Sequence, residues 1–492
     1  MKPFKIVLID FSPALDNKTL WNVIEPPLGL MYLSAWQKRK FGNDIDVKIL
    51  QAKIDFRSYS EYEDLILKLN PDLIGLRCLT VTSNQIHMAA KLGRKNSNAI
   101  IIAGGPYPSS SPEKVASDSN IDAVVIGEGE LTFEEILENT IEGSDKWRDV
   151  DGLCVMRDGK IVRTPPRSLI EDLSKLPLPD YDSVNLNSYN GRPGFSISSQ
   201  KRALIQSTRG CPYECSYCHD IMKNRFRARP PESVMTEILE LYHKYEIRDF
   251  VFADDLFNLR IKNAEALLKM IINEPIKIRL FFPNGLRGDI ITPELIDLLV
   301  EAGMVEVNYA LETASPRMQS IIKKRLSIPK LIDAVNYTTS KDVVVGLFLM
   351  MGFPGETEEE AELTIKTIND MPMVHFPYLN MVKLYEGTPI YQTAIEMGYN
   401  PDSIEKSLND SYDRFQQPVM PLNEKFVNRM RRKLVKNHIL RKERLQHVLP
   451  IQRMHFPESE LERKYGTYLP GFKDMGQLDR KAYSAYSVIA GN

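Results

Sequence analysis

Thr208-Arg209-Gly210-Cys211-Pro212-Tyr213-Glu214-Cys215-Ser216-Tyr217-Cys218-His219 governs how the rest of this chain is read. It follows an apolar run, Ala203–Ser207, that reads as a β-strand, so three cysteines spaced Cys-x3-Cys-x2-Cys sit on the loop at a strand's carboxyl end. Five cysteines in 492 residues are too few for a disulfide framework, and three of them fall within eight residues, which points to metal. Three thiolates on one compact loop can meet one face of an iron–sulfur cluster and leave a fourth iron open to a ligand. Zinc competes, but a structural zinc site asks for four ligands and only the adjacent His219 is at hand.

Downstream the strand pattern continues. Ala203–Ser207, Phe250–Ala253, Ile278–Phe282, Glu306–Leu311, Val343–Met350 and Asn380–Leu384 are candidate strands, with helices between them. Thr292 before Pro293 is an N-cap and Gly303 lies beyond that helix's end; Thr357 with Glu360 forms a capping box for another. Six βα units predict a partial (β/α)6 barrel, with reactive groups at the carboxyl ends of its strands.

Upstream, Ile6–Ile9, Val47–Leu50, Leu73–Leu76, Ile100–Ala103 and Ala123–Ile126 alternate with helical stretches. These continuously apolar runs predict a doubly wound, Rossmann-like α/β sheet covered on both faces. Loops with Thr82 and Ser83, with Gly104 and Gly105, and with Gly127, Glu128 and Gly129 follow three of them. Ligands bind beyond such strand ends, and three small-residue loops together predict a cofactor-sized ligand, although glycines also simply close tight turns. Leu153–Met156 and Ile161–Val162 around Asp158-Gly159 predict a hairpin, taken as a closing flap. Residues 164–201, rich in Pro, Ser, Asn and Gly, read as a linker. The expected organisation is an N-terminal domain over 1–150, hairpin and linker over 151–201, a barrel over 202–390 and a helical region over 391–492. In the last region the basic stretch Arg432 to Lys442 carries Leu434, Val435, Ile439 and Leu440 at helical spacing, so its charges read as a solvated face.

Composition narrows the function classes. With 43% apolar and 26% charged residues the chain has an ordinary globular mixture, and 63 Lys+Arg against 65 Asp+Glu lacks the basic excess of a nucleic-acid binder. The longest apolar run, Val343 to Phe353, has 11 residues, too few for a spanning helix. The opening residues carry no apolar leader of the secretory kind, so a cytoplasmic location is expected.

Through Cys211, Cys215 and Cys218, with Tyr217 before the last cysteine, the chain resembles the radical S-adenosylmethionine enzymes. The resemblance implies that the three cysteines ligate a [4Fe–4S] cluster whose open iron chelates S-adenosylmethionine, which one electron then cleaves to a 5′-deoxyadenosyl radical. Phe252-Ala253-Asp254-Asp255, Asn284-Gly285-Leu286-Arg287 and Leu311-Glu312-Thr313 follow the family's order along the barrel. It implies that Asp254 and Asp255 meet the methionine amine, Glu312 the ribose, and Arg287 the same cofactor. Helix capping by the aspartates, a salt-bridged Glu312, and an Arg287 paired with a neighbouring acid are the plainer readings. Gly352-Phe353-Pro354-Gly355-Glu356-Thr357 and Glu386-Gly387-Thr388-Pro389 also match, as turns.

The N-terminal region, with Pro26-Pro27-Leu28-Gly29-Leu30-Met31-Tyr32-Leu33 and the glycine loops, resembles the cobalamin-binding domain that precedes many such barrels. An Asp-x-His-x-x-Gly motif is absent; the first loop reads Asp10-Phe11-Ser12-Pro13. The resemblance therefore implies cobalamin held without a histidine on its lower face, which suits methylation of an unactivated carbon. The methylthiotransferases resemble this layout but carry three N-terminal cysteines, and here only Cys78 and Cys154 precede the barrel, both expected as core residues.

The expectation is a cobalamin-dependent radical methyltransferase of a small or medium organic substrate, supplied with electrons by a flavodoxin or ferredoxin type donor. Radical cyclisation, ring contraction or rearrangement with the same cofactors, and a non-catalytic sensor, are the alternatives. The substrate pocket is expected between the cofactors, walled by residues 164–201 and the C-terminal helices, with Tyr181, Tyr189 and Tyr385 as candidate lining.

Overall fold

Both alternations form parallel sheets in a computed structural model, which describes residues 2–15, 23–219, 221–222, 224–408 and 421–466. The first sheet contains β1 (Phe4–Asp10), β2 (Ile45–Gln51), β3 (Leu73–Arg77), β4 (Ile100–Gly104), β5 (Ala123–Val125), β6 (Leu153–Arg157) and β7 (Lys160–Arg163), in the order β2-β1-β3-β4-β5-β6-β7. The first five are parallel. Their order reverses direction between β1 and β3, the point where doubly wound sheets open a crevice for ligands.

Alternate side chains of one strand serve two cores. Ile6 and Leu8 of β1 pack with Met31, Trp36, Phe133 and Ile136 of the helices Leu28–Phe41 and Glu130–Ile141. Val7 and Ile9 pack on the opposite face with Tyr62, Ile66, Ile86 and Ala89. The first of these cores runs without a break into the barrel, through Leu173, Tyr181 and Leu186 to Leu204 and Phe250. Cys78 and Cys154 are buried in the second, as small hydrophobes.

The hairpin of β6 and β7 is not a flap. β6 pairs antiparallel with β5 and β7 with β6, so the hairpin extends the sheet at its edge. The apolar Leu153, Cys154 and Val155 on β6 explain this: they need a buried face, and the exposed β7 then blunts the edge.

The second sheet is made of β8 (Arg202–Ile205), β11 (Asp249–Phe252), β12 (Arg279–Leu286), β13 (Met304–Glu312), β14 (Val344–Met351) and β15 (Phe376–Met381), all parallel and in sequential order. Between β8 and β11 lies a two-stranded ribbon, β9 (Thr208–Arg209) with β10 (Arg227–Ala228). Both caps read from the sequence are present: Thr292 accepts from Leu295 N, and Thr357 and Glu360 cap reciprocally. The sixth strand lies at Phe376–Met381 instead of Asn380–Leu384, because Phe376 and Pro377 pair with Gly346 and Leu347 of β14 and the chain turns away after Met381.

Residues 192–201 and the C-terminal helices close the barrel at the strands' amino ends. Ile197 N–H donates to Glu306 at 2.8 Å, Ser198 Oγ to Asp249 at 2.7 Å, Arg279 to the His455 carbonyl at 2.7 Å and Arg463 to the Ile197 carbonyl at 2.5 Å. Residues 192–201 and the helices from Glu424 onward therefore do not wall a pocket at the carboxyl ends, whereas other parts of the expected walls do line cavities beside the loops of the first sheet: Thr164 and Arg167 in one, Pro401, Ile404 and Glu405 in another. Tyr181 and Tyr189 are likewise buried packing residues, Tyr181 donating its hydroxyl to Glu237 at 2.5 Å. In the basic stretch Leu434, Val435 and Ile439 are buried while Arg432, Lys436 and Lys442 face outward. The parts of the expected helical region at 409–420 and 467–492 lie outside the described residues. Among those described, no helix is long and apolar enough to cross a membrane.

Candidate active site

The cysteine loop leaves β9 and returns through β10 at the carboxyl end of the barrel. Cys211 and Cys215 are half-buried and Cys218 exposed, all free thiols. A hydrogen bond from Cys218, helped by the charges of Lys324 and Arg287, pulls the Cys215 thiol down to about 6, while the same contact pushes Cys218 up. Thiolate character is what iron asks of a ligand. Among the described residues no three His, Cys, Asp or Glu side chains converge on a single-ion site. The donor set, three thiols on one loop, fits a cluster better than a single ion.

Around this loop the barrel supplies polar groups from three strand ends. Past β11, Asp254 is buried; its Oδ1 accepts from Ser207 Oγ at 2.9 Å and Thr208 Oγ1 at 2.6 Å, and its Oδ2 has no partner. It does not cap a helix, since the next helix, Ile261–Asn273, begins after Arg260. Burial raises its carboxyl to about 6, and the free oxygen is open to an incoming donor. Asp255 is solvent-exposed and accepts from Gly210 N–H at 3.1 Å.

At the end of β13, Glu312 adopts a left-handed backbone, φ +63°, and accepts Lys324 Nζ at 2.9 Å and the Tyr217 hydroxyl at 3.2 Å through one oxygen. Lys324 is only 7% exposed. Arg287, half-buried just past the end of β12, is spent on structure: its Nη2 donates to the carbonyls of Lys324 at 3.1 Å and Arg325 at 2.9 Å, its Nε lies 2.8 Å from Asp289, and it stacks on Tyr213. It positions the lysine-bearing loop, where the sequence had placed it on a cofactor.

In the N-terminal domain a cavity enclosing about 890 Å³ of partly solvent-open space lies at the carboxyl ends of β1, β3, β4 and β5. Gly104, Gly105, Gly127 and Gly129 line it together with Leu8, Leu30, Leu33, Leu76, Ile102, Val125 and Phe133. At Gly105, φ +88°, an added Cβ would stand 2.9 Å from Arg77 Cγ, so side chains are excluded there. An apolar slot with glycine walls fits the flat base of a nucleotide-bearing cofactor such as cobalamin. Among the described residues no histidine lines it, and Arg77, pinned to Asp10 at 2.6 Å, has no lone pair to give a metal.

Of the residues predicted for these loops, Thr82 and Ser83 lie away from this cavity, and Glu128 lines it with its carboxylate already engaged. Thr82 is buried and closes its own turn, exchanging hydrogen bonds with Leu79. Ser83 faces a second cavity of about 810 Å³, between the domains, also lined by Tyr107, Lys114, His219, Tyr385 and Glu405. Tyr385 thus keeps its candidacy, its ring 4.6 Å from that of His219. Glu128 borders the first cavity, but its carboxylate is taken by Arg209 at 3.0 Å, Arg227 at 2.8 Å and the Ile170 N–H at 2.9 Å.

Sequence reasoning missed Lys324, Arg77 and Arg209. Lys324 hides in a basic triplet, Lys323-Lys324-Arg325, that looks like a solvated loop. Arg77 carried a readable signal, a charge closing an otherwise apolar strand.

Known proteins share this arrangement. The family model described as the radical SAM superfamily matches residues 205–368, and that of the B12 binding domain matches residues 22–137. An uncharacterized methyltransferase of Pyrococcus horikoshii is 30% identical over 402 residues, 80% of this chain and 84% of the relative. The anaerobic magnesium-protoporphyrin IX monomethyl ester cyclase of Rubrivivax gelatinosus is 26% identical over 407 residues, 80% of this chain and 70% of the relative. The radical S-adenosylmethionine methyltransferase TsrM from Kitasatospora setae superposes with a TM-score of 0.66 at 20% identity, over 80% of this chain and 76% of its own, and supports the fold.

Proposed function

Because the chain belongs to the radical SAM superfamily and also carries a B12-binding domain, we propose that it is a cobalamin-dependent methyltransferase acting on an unactivated carbon of a small or medium organic substrate. One observation carries the reading: the glycine-walled cavity is closed on one side by Gln206, Arg209 and Met222, residues of the segment that also bears the cysteines. The two sites share a wall.

When bound, the cluster with S-adenosylmethionine supplies one-electron cleavage of a sulfonium, and the corrin supplies methyl transfer. Cys211, Cys215 and Cys218 hold the cluster. Asp254 receives the cofactor's ammonium on its free oxygen, and Lys324 pairs an anionic group while holding Glu312 for hydroxyls. Gly104, Gly105, Gly127 and Gly129 admit the nucleotide end of cobalamin between apolar walls. The cavity between the domains, with Ser83, Tyr107, His219 and Tyr385, receives the substrate. An electron donor of flavodoxin or ferredoxin type and a cytoplasmic setting complete the proposal, in keeping with five free thiols.

Ring closure with the same cofactors is favoured by the similarity to the cyclase. Anaerobic reconstitution tests the assignment: the wild-type chain is expected to take up about four irons and one corrin per chain. Failure to retain corrin after desalting would remove the methyltransferase reading.

A further inference from the structure

The cysteine loop is held at its base by a clamp from the other domain. Arg209 and Arg227 stand opposite each other in the antiparallel pair β9–β10, so the cysteine-bearing segment is closed at its base. Both arginines close on the same carboxylate. Arg209 Nη1 reaches Glu128 Oε1 at 3.0 Å, Arg227 Nη1 reaches Glu128 Oε2 at 2.8 Å, and Arg209 Nη2 also reaches Glu130 at 2.8 Å. All four side chains are at least nine-tenths buried. The two glutamates flank Gly129 on the loop that lines the glycine-walled cavity.

This clamp has no slack on the cysteine side. Between Arg209 and Cys211 stands Gly210, φ +82°, where an added Cβ would lie 2.2 Å from the Arg225 carbonyl, and its N–H is fixed to Asp255. A shift of the Gly127–Glu130 loop is therefore passed to Cys211 through the two guanidinium groups. Buried charge pairs resist separation, because an unpaired charge in low dielectric is strongly disfavoured.

We propose that Glu128, gripped by Arg209 and Arg227, is a positioning residue that couples the two cofactor sites, so that filling the glycine-walled cavity sets the cysteine loop for S-adenosylmethionine. The proposal rests on the cofactor assignment above. Coupling of this kind is reciprocal: each cofactor tightens the other by the same factor.

The test uses the full chain with its cluster reconstituted anaerobically, and measures the Kd of S-adenosylmethionine with and without saturating hydroxocobalamin. Wild type is expected to bind about fivefold or more tightly with the corrin present. Glu128→Gln is expected to retain iron and corrin while that ratio falls to about one, and Arg227→Lys, which keeps the charge, to retain part of the wild-type ratio. If Glu128→Gln does not fold, Glu130→Gln, which leaves the Arg227 contact in place, is expected to lower the ratio partway. An unchanged ratio in the variant that is measured overturns the coupling, as does a ratio of one in a wild-type chain that binds corrin. Lowered thermal stability with an unchanged ratio would assign the clamp a purely structural role. Failure of the wild type to bind corrin at all would instead overturn the assignment of the cavity, and the coupling with it.

Discussion

Lys324 Nζ donates to Glu312 Oε1 at 2.9 Å, joining a loop after the fourth barrel strand to that strand's last residue. Both side chains are about nine-tenths buried and lie beside the cysteine loop through Tyr217. Removing one partner of such a pair leaves a buried charge unmatched. Lys324→Met is expected to weaken S-adenosylmethionine binding by roughly 10-fold to 100-fold, the worth of a charged hydrogen bond, with iron content unchanged. Equilibrium dialysis of the reconstituted protein checks this; an unaltered Kd would make the lysine a scaffold residue only.

Replacing Gly105 by leucine is expected to reduce corrin uptake without loss of iron. The new side chain meets Arg77 at once and occupies the cavity mouth. Corrin absorbance after desalting, compared with iron per chain, reports the outcome. Equal uptake by variant and wild type would make this loop an ordinary turn.

Cys215→Ala is expected to abolish cluster assembly while corrin binding survives, because the glycine walls and most of the apolar lining of that cavity come from the other sheet. Full iron content in the variant would sink the cluster assignment.

Glu356 is buried, its Oε2 accepting from Gly352 N–H at 2.5 Å, and burial pushes its carboxyl up to about 8. A carboxyl raised on folding adds stability that is complete below its unfolded value of about 4.3 and is lost as pH rises through about 8. Glu356→Gln is expected to flatten the fall in Tm between pH 6 and pH 8.5 relative to wild type. Parallel curves for the two proteins would contradict the assignment of this group.

Both sheets were legible in the sequence because their strands are buried on both faces and read as unbroken apolar runs, such as Ile6–Ile9 and Val343–Met350. The cysteine loop was legible because its spacing is local. What escaped depends on contacts distant in sequence. Glu128 looked like a loop residue facing ligand, yet Arg227, 99 positions later, takes its carboxylate. Residues 164–201 looked like a pocket wall because they lack period; Thr164 and Arg167 do line a cavity, but Ile197 and Ser198 satisfy buried Glu306 and Asp249 at the far end of the barrel. The sixth strand was misplaced by the apolar Val382 and Leu384, which pack with Phe353 and Ile390 beyond the strand's end.

The most direct measurement is anaerobic. The reconstituted chain is given cobalamin, a low-potential reductant and S-adenosylmethionine, and 5′-deoxyadenosine and S-adenosylhomocysteine are assayed together. The account predicts both products, with S-adenosylhomocysteine appearing only when cobalamin is present. Formation of 5′-deoxyadenosine alone, with cobalamin bound, would contradict methyl transfer and leave ring closure as the reading.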